Sequence, residues 1–153
     1  MTLTLRPVQR EHLRGLFKLK VSAEQGGLVA PNEYTLAEAA YEPFSQVWGL
    51  WDAETLVGMM AMIDLARSPH TEPGDEPDSA YVWRLMIGVE YQGGGFGRAA
   101  LALADDVARE WGRKRISLSV VDAPNSALAF YESCGYRNTG RFIDGEMVLV
   151  KDL

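Results

Sequence analysis

The chain has 153 residues, 47% of them apolar, and a formal net charge of −6. That length and composition predict one soluble globular domain over residues 1–153 with a real core. The acidic balance argues against nucleic acid as the main partner, since phosphate backbones demand a basic surface, and it is compatible with a cationic substrate. No apolar run approaches the roughly 20 residues of a membrane span. No basic segment followed by an apolar stretch reads as a secretory signal. Cys134 is the only cysteine, so no intrachain disulfide can form. These features suit the cytoplasm.

Leu3, Leu5 and Val8 among polar neighbours predict a first strand. Leu13, Leu16, Phe17 and Val21 recur at helical spacing, and Gly26-Gly27 is expected to close that helix. Val29 to Asn32 reads as loop. Thr35 and Glu38 have capping-box spacing, so a second short helix is expected to start there and end before Pro43. Gln46 to Trp51 and Leu56 to Ile63 predict two strands about a turn at residues 52–55. From Ala66 to Ser79, Pro69, Pro73, Gly74 and Pro77 exclude a helix or central strand. Glu72, Asp75, Glu76 and Asp78 make this stretch an acidic exposed loop.

Tyr81 to Val89 predicts a buried strand. A helix from Arg98 to Trp111 follows, with Leu103, Val107 and Trp111 on one face and Gly112 as its stop. Ile116 to Val121 is a further strand. Asn125 is expected to cap a helix running through Cys134, ended by Gly135. Tyr136 to Phe142 and Met147 to Val150 predict a hairpin about Asp144-Gly145. The order β-α-α-β-β-β-α-β-α-β-β is a mixed α/β pattern around one sheet. Trp48, Trp51 and Trp111 read as core; Trp83 is a candidate for a cleft wall.

The chemistry is concentrated in Gln92-Gly93-Gly94-Gly95-Phe96-Gly97, between the Tyr81 strand and the Arg98 helix. Glycines at such a junction let several N–H groups approach a ligand, and the helix N-terminus adds partial positive charge. Phosphate or pyrophosphate is the natural guest. A kinase-type P-loop would require Gly-Lys-Ser or Gly-Lys-Thr, whereas Gly97 is followed by Arg98 and Ala99. A dinucleotide fingerprint matches Gly95 to Ala100, with Asp122 as a ribose-binding acid, but too little parallel α/β chain surrounds it.

A third reading uses the whole second half. Gln92-x-x-Gly95-x-Gly97 resembles the Arg/Gln-x-x-Gly-x-Gly/Ala motif of the GNAT family of N-acetyltransferases. Leu85-Met86-Ile87 is similar to that family's fourth strand, and Ala127 to Tyr136 to its Ala-x-x-Phe-Tyr-x-x-x-Gly-Phe/Tyr segment. More narrowly, Tyr81 to Ile87 and Val29 to Tyr34 resemble segments of the bacterial spermine/spermidine (diamine) acetyltransferases. The resemblance implies a mixed seven-stranded sheet with about four helices. It implies acetyl-CoA as cosubstrate, no metal, a small polyamine-like amine as acceptor, and a possible homodimer. The alternatives are a protein N-terminal or lysine acetyltransferase, and a non-catalytic acetyl-CoA sensor.

The same resemblance assigns roles. Amides from Gly93 to Arg98 would hold the pyrophosphate. Leu85, Met86 and Ile87 would lie beside the pantetheine arm, with a backbone N–H near Ile87 facing the thioester oxygen. Tyr131 would protonate the leaving thiolate, since a phenol near pKa 10 and a thiol near 8.5 differ modestly. In many relatives an asparagine stands seven residues before this tyrosine. Pro124 occupies that place here, and Asn125 follows it, leaving its contact with CoA in question. Glu24, Glu33 and Asp64 are candidate acids for the acceptor amine, and Trp83 and Arg84 candidate acceptor contacts. No spacing of His, Cys or acids suggests a metal, and no serine sits in a nucleophile elbow, so direct transfer is expected.

Overall fold

The computed structural model describes residues 2–153. In chain order its elements are β1 (Leu3–Pro7), α1 (Leu13–Lys18), α2 (Asn32–Ala39), β2 (Ser45–Asp52), β3 (Thr55–Asp64), β4 (Ala80–Ile87), α3 (Phe96–Glu110), β5 (Arg115–Val121), α4 (Leu128–Ser133), β6 (Arg137–Ile143) and β7 (Glu146–Asp152). Short 3-10 turns precede α1 and follow β4. The strands form one mixed sheet in the order β1-β2-β3-β4-β5-β7-β6. Six strand pairs result, and only β4 with β5 is parallel. The α3 crossover joins those two.

Helix α3 lays Ala100, Leu101, Ala104, Val107 and Ala108 on one face of the sheet, against Val82, Ile116 and Leu118. Its small residues let the backbone approach the strands closely. Leu101, 2% exposed, is the large side chain of that seam; truncating such a leucine to alanine costs about 2–5 kcal/mol. The opposite face carries a smaller cluster of Leu16, Leu19, Met59 and Met86 under α1 and α2.

Three expected boundaries move. Helix α1 stops at Lys18, not near Gly26, because Leu19 turns extended and the Lys20 carbonyl accepts a bond from Val89 N–H at 2.8 Å. Helix α2 starts at Asn32 behind Pro31. Thr35 caps nothing: its side chain is fully buried, and the buried Asn32 amide donates to the Leu16 carbonyl at 2.8 Å. Helix α4 begins at Leu128 behind Ala127. Asn125 therefore does not cap it; its Nδ2 donates to the Glu24 carbonyl at 3.2 Å.

One feature of β4 was not legible in the sequence. It pairs with β3 along its whole length, from Asp64↔Ala80 to Gly58↔Ile87. It pairs with β5 at three positions only, Ala80↔Ile116 to Val82↔Leu118. The β3 register slips where Ala61 faces Arg84 and Met62 faces Val82, leaving Trp83 as an extra residue. Such a bulge bends its strand and sharpens the twist. Beyond Val82, β4 and β5 part and the sheet opens into a fork.

Candidate active site

The fork opens into a cleft of about 900 Å³. Its walls are the free end of β4, Val82 to Ile87, and the end of β5, Leu118 to Val121. The loop from Gln25 to Pro31, the glycine loop, and Phe130 and Tyr131 of α4 close it. Leu85, Met86, Ile87, Gln92, Gly93, Gly95, Phe96, Gly97, Arg98, Asn125 and Tyr131 all line it. Gly94 does not, although it belongs to the same loop.

Backbone direction on β4 follows from the antiparallel ladder. Gly88 N–H donates to the Val57 carbonyl at 2.9 Å, toward β3. Alternation then turns the N–H and C=O of Ile87 away from β3, into the fork. The Ile87 carbonyl accepts a bond from Gln92 Nε2 at 3.0 Å. The same Nε2 lies 3.0 Å from Gln25 Oε1. Gln92 thus ties the glycine loop to the splayed strand, and the Ile87 amide remains a donor aimed at the cleft.

Gly93 and Gly95 have φ of 83° and 88°, the left-handed region where side chains are strained. Gly95 is the N-cap of α3, with no side-chain cap and no acid in the first turn. The first amides of a 15-residue helix therefore lack carbonyl partners and carry the positive end of its dipole. A Cβ on Gly97 would stand 3.3 Å from Phe130 Cζ, so a side chain there presses α4. Arg98 donates to Ser133 Oγ at 3.0 Å, fastening α3 to α4 while it borders the cleft.

The Tyr131 ring packs beside Phe130 and Tyr136, with centroids 5.3 and 6.0 Å apart. Burial, and secondarily Cys134, pushes its phenol up to about 12. It is fully protonated at neutral pH but a weaker acid than an ordinary phenol. The pKa match assumed from solution values therefore does not hold for this buried phenol. A thiolate formed in the same surroundings would be desolvated too, which raises its own proton affinity and narrows the gap.

The candidate acceptor residues separate sharply. Trp83 and Arg84 line the cleft. Arg84 Nη1 donates to the Trp83 carbonyl at 3.0 Å and Nη2 lies 3.6 Å from Glu38 on α2. Its Nε is buried without a partner among the described residues. Glu24, Glu33 and Asp64 are not in the lining. Glu24 is exposed, and Glu33 stands 3.6 Å from Lys20 on the surface. Asp64 sits at the closed end of β3, opposite Ala80. There its buried carboxylate accepts from Arg113 Nη2 and from Ala66 N–H, each at 3.2 Å, with Arg113 Nε 2.9 Å from its other oxygen. The acids of the 66–79 loop also lie outside the lining, and Glu76 is buried between Arg115 and Arg141.

Two wall residues escaped sequence reasoning. Ser119 and Glu146 both line the cleft, and Ser119 Oγ donates to Glu146 Oε1 at 3.0 Å. Tyr81 Oη lies 2.7 Å from Ser119 Oγ. The available signal was an acid placed directly before the apolar run Met147 to Val150.

A profile of the acetyltransferase (GNAT) family matches residues 13–136. The chain belongs to that family. Among curated proteins it is 28% identical over 155 aligned positions to a spermine/spermidine N(1)-acetyltransferase of Bacillus subtilis (strain 168), covering all of both chains. Among solved structures it is similar to a PaiA N-acetyltransferase from Thermoplasma acidophilum in complex with coenzyme A. That likeness has a TM-score of 0.71, 16% identity and full coverage of both chains. It is also similar to a spermidine N-acetyltransferase from Vibrio cholerae in complex with CoA and spermine. There the TM-score is 0.68 at 22% identity, over 98% of this chain and 95% of that one. The seven-stranded mixed sheet with four helices is the fold these structures share with it.

Proposed function

We propose that the protein moves the acetyl group of acetyl-CoA to a primary amine by direct attack, and that the acceptor is a small polyamine-like molecule. One observation carries the acetyl-CoA assignment. The unpaired end of β4 offers the Ile87 amide beside a glycine-capped helix N-terminus within a single cleft. The pantetheine arm would lie along Leu85 to Ile87 as an added strand, with the pyrophosphate on the amides from Gly93 to Arg98. The Ile87 N–H would then meet the charge that grows on the thioester oxygen during attack. Tyr131 would supply the proton to the leaving sulfur. Cys134 and a thioester donor both suit a reducing compartment, and we assign the protein to the cytoplasm. No helix is long and apolar enough to cross a membrane among the described residues.

The polyamine acceptor is supported by the name of the 28% identical relative and by the net charge of −6. A second reading is favoured by Arg84, whose guanidinium lines the cleft with one donor unpartnered. That donor suits an acceptor with a carboxylate or carbonyl near its amine. CoA release with a panel of amines tests both. Spermidine is expected to exceed a monoamine of similar length in kcat/KM at low salt, the advantage shrinking as salt screens the second charge. Equal values at low salt would reject the polyamine acceptor and leave acetyl transfer standing. A preference for amino acids would select the Arg84 reading.

A further inference from the structure

Among the described residues, Glu146 is the only Asp or Glu that lines the cleft. Its position follows from register. At the start of β7 it faces Val121, while Met147 faces Val120 and Leu149 faces Leu118. Cross-strand partners share a face and neighbours alternate. Leu118, Val120, Met147 and Leu149 belong to the core beneath α3. Glu146, Ser119 and Tyr81, the last in register with Ser117, therefore stand on the other face, the side of α1 and α2. Tyr131 packs with the α3-side core. A thioester lying in the fork would have Tyr131 on one side and this carboxylate on the other. Ser119 aims Glu146 from 3.0 Å and is itself held by Tyr81 at 2.7 Å.

We propose that Glu146 is the group that receives the acceptor, holding its ammonium and taking a proton from it, with Ser119 and Tyr81 as positioning residues. This rests on the acetyl-transfer reading above. The ammonium gives one proton to the carboxylate. The freed nitrogen lone pair forms the C–N bond at the thioester carbonyl, and the C–S bond breaks. The thiolate takes a proton from Tyr131, which is replaced by the second proton lost from nitrogen. Glu146 then returns its proton to water, so one proton is released per acetyl group transferred.

The test uses the full chain with acetyl-CoA and a primary monoamine. Glu146→Gln keeps an oxygen for Ser119 and removes the base. We expect kcat/KM for the amine at pH 7.5 to fall about 10²–10³-fold, with acetyl-CoA affinity unchanged. The deficit is expected to shrink as pH nears 10, because the amine then arrives free. Tyr81, which holds Ser119, feels the charges of Glu146, Asp75 and Arg84, and the last two remain in the variant. Ser119→Ala keeps the carboxylate but not its aim, and is expected to lose about three- to tenfold in kcat/KM. Wild-type kcat/KM in Glu146→Gln, or a deficit constant from pH 7 to 10, would overturn the assignment while leaving acetyl transfer intact. Should Glu146→Gln fail to fold, full activity in Ser119→Ala would overturn it instead. A wild-type protein that binds acetyl-CoA but releases no CoA with any amine overturns the transfer reading itself.

Discussion

The two ends of β4 are held in opposite ways. Ala80 to Val82 have β3 on one side and β5 on the other. Trp83 to Ile87 keep β3 alone. Around the closed end, charges are paired: Asp64 with Arg113 at 2.9 Å, and Glu76 with Arg115 at 2.6 Å and with Arg141. Around the open end, a strand edge, a helix N-terminus and one carboxylate line a cleft. An unmet buried backbone donor costs about 1–3 kcal/mol. At the fork the donors face an open cleft instead of a buried interior, so the strand leaves them without a protein partner at little cost. The closed end supplies stability, and the open end supplies donors that a ligand can satisfy.

That division can be broken at either end. The largest effect is expected from Tyr131→Phe, which keeps the ring and removes the proton. If the open end does the chemistry, kcat should fall about 10²–10⁴-fold with acetyl-CoA affinity little changed. A near wild-type kcat, with chemistry shown to be rate-limiting, would reduce Tyr131 to a packing residue. At the closed end Asp64→Ala leaves Arg113 without its partner and uncaps Ala66. We expect a stability loss of about 3 kcal/mol by denaturant titration, at the low end for a buried pair because Arg113 keeps some contact with water. Its kcat, measured well below the melting temperature, should not change. A loss of activity without loss of stability would mean that Asp64 serves the acceptor after all.

The same contrast explains what could be read from the chain. Strands with alternating or continuous apolar runs, the Asp144-Gly145 turn and the Gly112 stop were legible because each is a local pattern. The glycine loop was legible because its spacing is tied to one chemical task. Helix starts were misread where a side chain suited to capping was needed elsewhere. Thr35 went into the core and Asn125 to the Glu24 carbonyl. The fork was invisible because a one-residue bulge at Trp83 has no sequence signal of its own. Asp64 failed to reach the cleft for a related reason. An acid on a strand is placed by register, and register set Asp64 at one end of the sheet and Glu146 at the other.

Two smaller effects sharpen the account of the open end. Gly97→Leu drives a side chain against Phe130 beside the helix N-terminus. Acetyl-CoA binding, measured by calorimetry on the folded variant, should weaken at least tenfold, about 1.4 kcal/mol. Unchanged affinity would take the loop out of the site. The last expectation concerns pH and is an absence. Tyr131 acts in its protonated form, and burial holds its phenol up to about 12. The acid form is therefore complete below an ordinary tyrosine pKa of about 10 and is lost only as pH rises through the folded value. Because Glu146 takes the acceptor's proton, wild-type rates limited by chemistry should change little as the amine itself deprotonates in solution, and should show no descending limb below about pH 11. A limb between pH 8 and 10 that disappears in Tyr131→Phe would mean that the bound cosubstrate brings this phenol down to or below the ordinary tyrosine range. In that case acetyl-CoA would make the surroundings of Tyr131 far more polar.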